Sequence, residues 1–100
     1  DLVRKKNDMQ KYIWKTPEEI TMMVADHTKR LRKRLRISRE KLSDMSGVSY
    51  GSIKRFEETG NISLLSLTKI AMALDTSNDI KRIFAEVPYN SIQEVINEQR

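Results

Sequence analysis

Apolar residues recur three and four positions apart along most of the chain, and no stretch alternates apolar and polar for long, so the pattern predicts helices rather than strands. Glycine and proline are scarce, which keeps the predicted connections short. A first helix opens at Thr16, where Thr16, Pro17 and Glu19 supply an N-cap, a first-turn proline and the acid of a capping box. Its predicted apolar stripe is Ile20, Val24, Leu31 and Leu35, with His27 beside it as a packing residue. Ser38 caps a short second helix with Leu42 and Met45 inward, and Gly47 ends it. Ser49 caps a third helix with Ile53 and Phe56 inward, followed by a turn at Thr59, Gly60 and Asn61. Ser63 opens a fourth helix bearing Leu64, Leu67, Ile70, Ala71 and Leu74. Ser77 or Asn78 opens a fifth with Ile80, Ile83 and Phe84, of which Ile80 and Phe84 are expected in the core. Beyond Pro88, Ser91 caps a last amphipathic piece with Ile92, Val95 and Ile96. The expected fold is all-α, a compact bundle of five or six helices divided into an N-terminal flexible arm (1–15), a helical domain (16–87) and a helical tail (88–100).

Length and composition narrow the function classes. One hundred residues with 38% hydrophobic content bury a single modest core and leave no room for a second full domain. Without cysteine there is neither a disulfide framework nor a Cys-ligated metal site, in agreement with a reducing, cytoplasmic setting. The longest strongly apolar uncharged stretch, Ile20 to Ala25, is far short of the roughly 20 residues of a membrane span, so no membrane partner is expected. A chain beginning with Asp1 reads as processed or trimmed, with Met9 as a candidate natural start.

Charge is uneven. Residues 1–41 carry a net +7 and residues 42–100 a net −2. Lys29, Arg30, Arg32, Lys33, Arg34, Arg36, Arg39 and Lys41 crowd around a single acid, Glu40, which suits a polyanion or, equally, a solvated helix end that complements the helix dipole. Neighbouring acids such as Glu18-Glu19 and Glu57-Glu58 point in different directions on a helix, and no phosphate loop or nucleophile-base arrangement occurs, so the chain is not read as an enzyme. No cofactor is expected: the dispersed methionines are core filler, and the lone His27 has no ligand partners for a metal.

The informative stretch runs from Arg39 to Phe56, two short helices flanking a glycine. Leu42, Val48, Ile53 and Phe56 pack both helices on the core, Ser43 is small enough for a close crossing, and Gly47 takes the turn. The outer face of the second helix is then free to enter a major groove. With Leu31-Arg32, Ile37-Ser38-Arg39-Glu40-Lys41-Leu42, Gly47-Val48-Ser49, Ser52-Ile53-Lys54-Arg55-Phe56-Glu57 and Leu67 through Leu74, the chain resembles the phage repressor and Cro-like, or XRE-type, helix-turn-helix family. The likeness extends from about Leu31 to Leu74 and implies the lambda-repressor-like fold.

The resemblance implies that Tyr50, Gly51, Ser52, Lys54 and Arg55 read base edges. A guanidinium at Arg55 suits guanine O6 and N7, or else a phosphate, and Tyr50 suits a thymine methyl or a phosphate. Gly51 departs from what a groove-reading helix wants, since it contributes no side chain and weakens the helix. Arg39 stands where the family usually has a phosphate-binding glutamine; Ser49, Asn61, Ser63 and Arg34 are the other candidate phosphate contacts. Arg32 and Glu57 occupy positions that the family pairs in a salt bridge. The implied function is a transcriptional regulator, in default a repressor, that binds a roughly palindromic double-stranded DNA operator as a homodimer, with Ile83, Ile92, Val95 and Ile96 as candidate dimer contacts. The alternative is an antitoxin-type protein that neutralises a partner toxin and regulates its own operon; shape recognition of nucleic acid, RNA included, is a weaker third reading.

Overall fold

The computed structural model describes residues 15–86, and among them the chain forms five helices. They are α1 (Pro17–Arg34), α2 (Arg39–Ser46), α3 (Tyr50–Thr59), α4 (Leu64–Ala73) and α5 (Ser77–Arg82). Each of the first four starts where a hydroxyl satisfies an otherwise orphaned backbone donor: Thr16, Ser38, Ser49 and Ser63 accept from the amides of Glu19, Lys41, Ser52 and Ser66. α5 is the exception, with Thr76 at its N-cap making no side-chain cap bond and Ser77 already inside the helix. Helix ends are equally local. α2 and α3 stop at Gly47 and Gly60, both left-handed, whereas α1 and α4 stop through Arg36 and Asp75, non-glycine residues at φ 59°. The backbone nonetheless closes the expected reversals, with Ile37 N donating to Arg32 O and Thr76 N to Ala71 O.

α3 is packed by α1 and α2; α2 also packs on α4, and α4 on α5. The core is Ala25, Leu42, Val48, Ile53, Phe56, Ile70 and Leu74, with Leu31, Ile37, Ile62, Leu67 and Ala73 packed against it. Arg32 and Glu57 are buried among these apolar side chains.

Several expected core positions lie elsewhere. In α1 the buried apolar residue is Ala25, while Ile20, Val24 and Leu35 are 40–48% exposed. The cause is the approach of α1 to the end of α3: a Cβ on Gly60 would lie 3.0 Å from the backbone of Thr21 and Met22. That contact selects the seam carrying Thr21 and Ala25, and Ile20 and Val24, one residue earlier, are turned about 100° away from it. Leu31 alone of the predicted stripe packs on the core, and His27 is exposed rather than packed. In α2, Met45 is exposed because the inward face runs through Leu42, Ser43 and Ser46, and Val48 beyond the turn fills the core. Leu64, in the first turn of α4, is exposed, and Phe84 is 95% exposed at φ 58° beyond the end of α5. Ile80 is half-buried. The predicted arm to Trp14 and the last amphipathic piece lie outside the described residues.

Candidate nucleic-acid interface

The turn between α2 and α3 is fixed by backbone conformation and by serines. Gly47 adopts φ 75°, a left-handed conformation that costs a side-chain-bearing residue energy, and its amide donates to Ser43 O at 2.9 Å. Ser43 Oγ donates to Val48 O at 2.7 Å, and Val48 N donates to Ser46 Oγ at 3.1 Å. Ser43 therefore does more than permit a close crossing: it latches the turn, so that burying Val48 sets where α3 begins.

α3 then divides cleanly. Ile53, Phe56 and Glu57 face the interior, and Tyr50, Gly51, Ser52, Lys54, Arg55 and Glu58 are exposed. All five candidate base-reading residues thus share the outer surface of one helix. A Cβ on Gly51 would meet nothing within 4 Å, so that stretch of backbone is open. Ser52 is partly committed, since its Oγ accepts from Ser49 Oγ at 2.8 Å while its amide donates to the same oxygen. Ser49 is therefore occupied as the helix cap.

Ser52 and Arg55 also help form a concavity of about 340 Å³ with Asn61, Ile62, Ser63 and Ser66. Here the structure brings two candidate base readers together with two candidate phosphate contacts. The start of α4 faces the same hollow through Ser63 and Ser66, a helix N-terminus whose amides and dipole favour an anion. Ser66 was not singled out in the sequence; the signal that points to it is the pair of hydroxyls one turn apart at a helix start. The loop is shaped by Thr59, whose Oγ1 donates to Arg55 O at 2.6 Å and accepts from Asn61 N at 3.2 Å.

Behind α3 lies an ion triad. Arg32 Nε and Nη2 donate to the two oxygens of Glu57 at 2.7 and 2.9 Å, and Arg32 Nη1 donates to Ile37 O at 2.8 Å. The Arg32–Glu57 pair expected from the sequence is therefore present, but Arg39 joins it, with its Nε 2.9 Å from Glu57 Oε1. Burial on its own would push the Glu57 carboxyl up; the hydrogen bonds and charges of Arg32 and Arg39 outweigh it and hold the group below its ordinary value. Arg39 is raised above its ordinary value chiefly by its bond to Glu57, against desolvation, with a smaller contribution from the Tyr50 phenol. One carboxylate thus ties α1, α2 and α3 together at the root of the exposed face.

The basic cluster is less available than its count suggests. Arg30 pairs with Asp26 at 2.9 Å, and Arg32 and Arg39 share Glu57. Lys33, Arg34, Lys54 and Arg55 are exposed and form no ion pair with another described residue. Of the candidate dimer contacts, Ile83 is half-exposed beside α5, and Ile92, Val95 and Ile96 lie outside the described residues. Among the described residues, no helix is long and apolar enough to cross a membrane.

Two short helices joined by a left-handed glycine turn, the second presenting a polar and basic face, define a helix-turn-helix unit. The helix-turn-helix family model matches residues 29–79, half of the chain, and the protein belongs to that family, of the XRE type. It is a DNA-binding transcriptional regulator, and the family is a regulatory rather than an enzyme family. No curated protein and no solved structure matches the chain.

Proposed function

We propose that the protein is a repressor that binds a roughly palindromic operator as a homodimer. The observation that carries this reading is the exposed face of α3, with Tyr50, Lys54 and Arg55 on its surface and a polar hollow at the start of α4 beside it. In this reading Tyr50, Gly51, Ser52, Lys54 and Arg55 face the major groove, and Arg55 reads guanine from the edge of that hollow. Asn61, Ser63 and the amides at the start of α4 take a phosphate, Ser49 presents the amide end of α3, and Arg34 contributes charge. Arg39 takes a phosphate with the nitrogens that Glu57 leaves to it.

One short helix contacts too few base pairs for useful specificity, so two copies on half-sites about one helical turn apart are expected. The protein then acts on DNA in the cytoplasm, and repression follows from occupying a promoter. An antitoxin-type role, in which the chain also neutralises a toxin, is the second reading; Leu65 and Met72, both 66% exposed on α4, are the apolar surface that supports it.

The test is a fluorescence-anisotropy titration against the DNA upstream of the protein's own coding sequence and a shuffled duplex, each at two salt concentrations. A preference of about a thousandfold or more, with steep salt dependence, is expected. Equal weak binding to both duplexes refutes the operator reading. Arg55→Ala should relax specificity at a cost of about 1–3 kcal/mol, whereas Arg39→Ala should weaken all duplexes alike and flatten the salt dependence.

A further inference from the structure

A groove of about 310 Å³ opens on the side of the domain formed by α1, α4 and α5. Its apolar wall includes Val24, Leu31, Leu67, Leu74, Ile80 and Ile83, and of the α1 stripe it holds Leu31, which also packs on the core, and Val24, which the packing of Ala25 turned outward. Val24 and Ile83 remain 40% and 49% exposed there, an apolar surface that water covers poorly.

Three observations favour one occupant. First, the described chain runs to Glu86, three residues past Ile83, so the segment that follows starts at the groove's own edge. Second, that segment is 14 residues long, and within it Ile92, Val95 and Ile96 recur at the three-and-four spacing that puts apolar side chains on one helical face, with Gln93 and Glu94 between them and Asn97 after them. Third, a segment tethered at the groove's edge is presented to it at about millimolar effective concentration, an advantage that a second copy of the chain lacks.

We propose that residues 91–97 dock as a helix in the α1–α4–α5 groove of the same molecule, through Ile92, Val95 and Ile96. This assigns the three residues to the monomer's own core rather than to the dimer contact that the sequence pattern suggested, and it does not depend on how the protein reads DNA. A second copy of the chain is the competing occupant.

The test is hydrogen exchange measured by mass spectrometry on the full chain at two protein concentrations about twentyfold apart. The wild type is compared with the double variant Ile92→Asp/Ile96→Asp and with Asn97→Asp on the opposite face. Amides of residues 70–83, and of α1 beside the groove, should exchange about tenfold faster or more in the double variant and at the wild-type rate in Asn97→Asp. Protection in the wild type should not depend on concentration. Amides of α3, remote from the groove lining, report whether the double variant keeps its fold; Ile92→Ser/Ile96→Ser serves as a milder substitute if it does not. Unchanged exchange in the folded double variant overturns the proposal, and wild-type protection that rises with concentration overturns it in favour of a second copy.

Discussion

Replacing Glu57 by Gln removes one charge and almost no volume, from a side chain that is 1% exposed and accepts three hydrogen bonds from two guanidinium groups. The amide that replaces one carboxylate oxygen is a donor, and it faces a donor: either Arg32 or the Arg32–Arg39 side loses its acceptor. Arg32, with a side chain 8% exposed, cannot turn to water, whereas Arg39, at 22%, can do so in part. Breaking a buried pair while leaving one charge in place costs about 3–5 kcal/mol, so Glu57→Gln should lose that amount. A small domain has only about 5–15 kcal/mol in total, and a domain of this size loses about 4–8 °C in Tm per kcal/mol. Urea denaturation followed by far-UV circular dichroism, with a parallel thermal melt, measures it. The companion variant Arg32→Met/Glu57→Leu removes both buried charges and should recover most of the loss, because the penalty comes from the unpaired charge rather than from the strength of the pair. A loss below about 1 kcal/mol for Glu57→Gln would refute the reasoning, since the carboxylate would then not be the tie it is drawn as.

The same carboxylate sets the acid limb of stability. Its folded-state pKa lies below the ordinary value of 4.5, so its contribution is complete above that value and is lost as pH falls below it and through the lowered pKa. Wild-type stability should therefore decline with acid in that window, and Glu57→Gln, already weaker at neutral pH, should decline less; parallel profiles would count against the assignment.

Other expected outcomes concern backbone conformation. Gly60→Ala should cost about 2 kcal/mol or more in urea denaturation, because φ 81° is strained for alanine and the new Cβ meets the backbone of α1 at 3.0 Å. Gly51→Ala meets nothing and should gain about 0.5–1 kcal/mol; loss of operator affinity in that more stable variant marks close backbone approach to DNA, and unchanged affinity marks weak readout there. Arg36→Gly relieves a left-handed arginine at φ 59° and should gain up to about 1 kcal/mol, the strain relieved less the added entropy of glycine.

Helix positions were legible in the sequence because they are decided locally. Thr16, Ser38, Ser49 and Ser63 cap through their own side chains, and Gly47 and Gly60 end helices by their own φ, so no tertiary knowledge is needed to place them. The rotation of each helix was less legible. Ile20 and Val24 look like the better apolar stripe of α1, and what overrules them is the contact of Thr21 and Met22 with Gly60, a pairing 39 and 38 residues apart that periodicity cannot register. Arg39 shows the same limit at the candidate interface. Its place at the start of α2 is readable, but its bond to Glu57 depends on how α2 crosses α3.

That bond changes what the basic cluster can do. Counted from sequence, eight cations between Lys29 and Lys41 suggest a broad electrostatic grip. In the fold Arg30 is turned to Asp26, Arg32 is buried, and Arg39 divides its charge between Glu57 and the surface, so fewer phosphates can be neutralised than the count implies. Because salt dependence follows the number of phosphates neutralised, it should be shallower than eight contacts would give, with Lys54 and Arg55 on α3 contributing alongside Lys33 and Arg34. The cations withdrawn from that grip do a different job. Two of them hold α3 to α1 and α2 through one carboxylate, so the geometry of the reading face and the acid stability of the domain depend on the same three side chains.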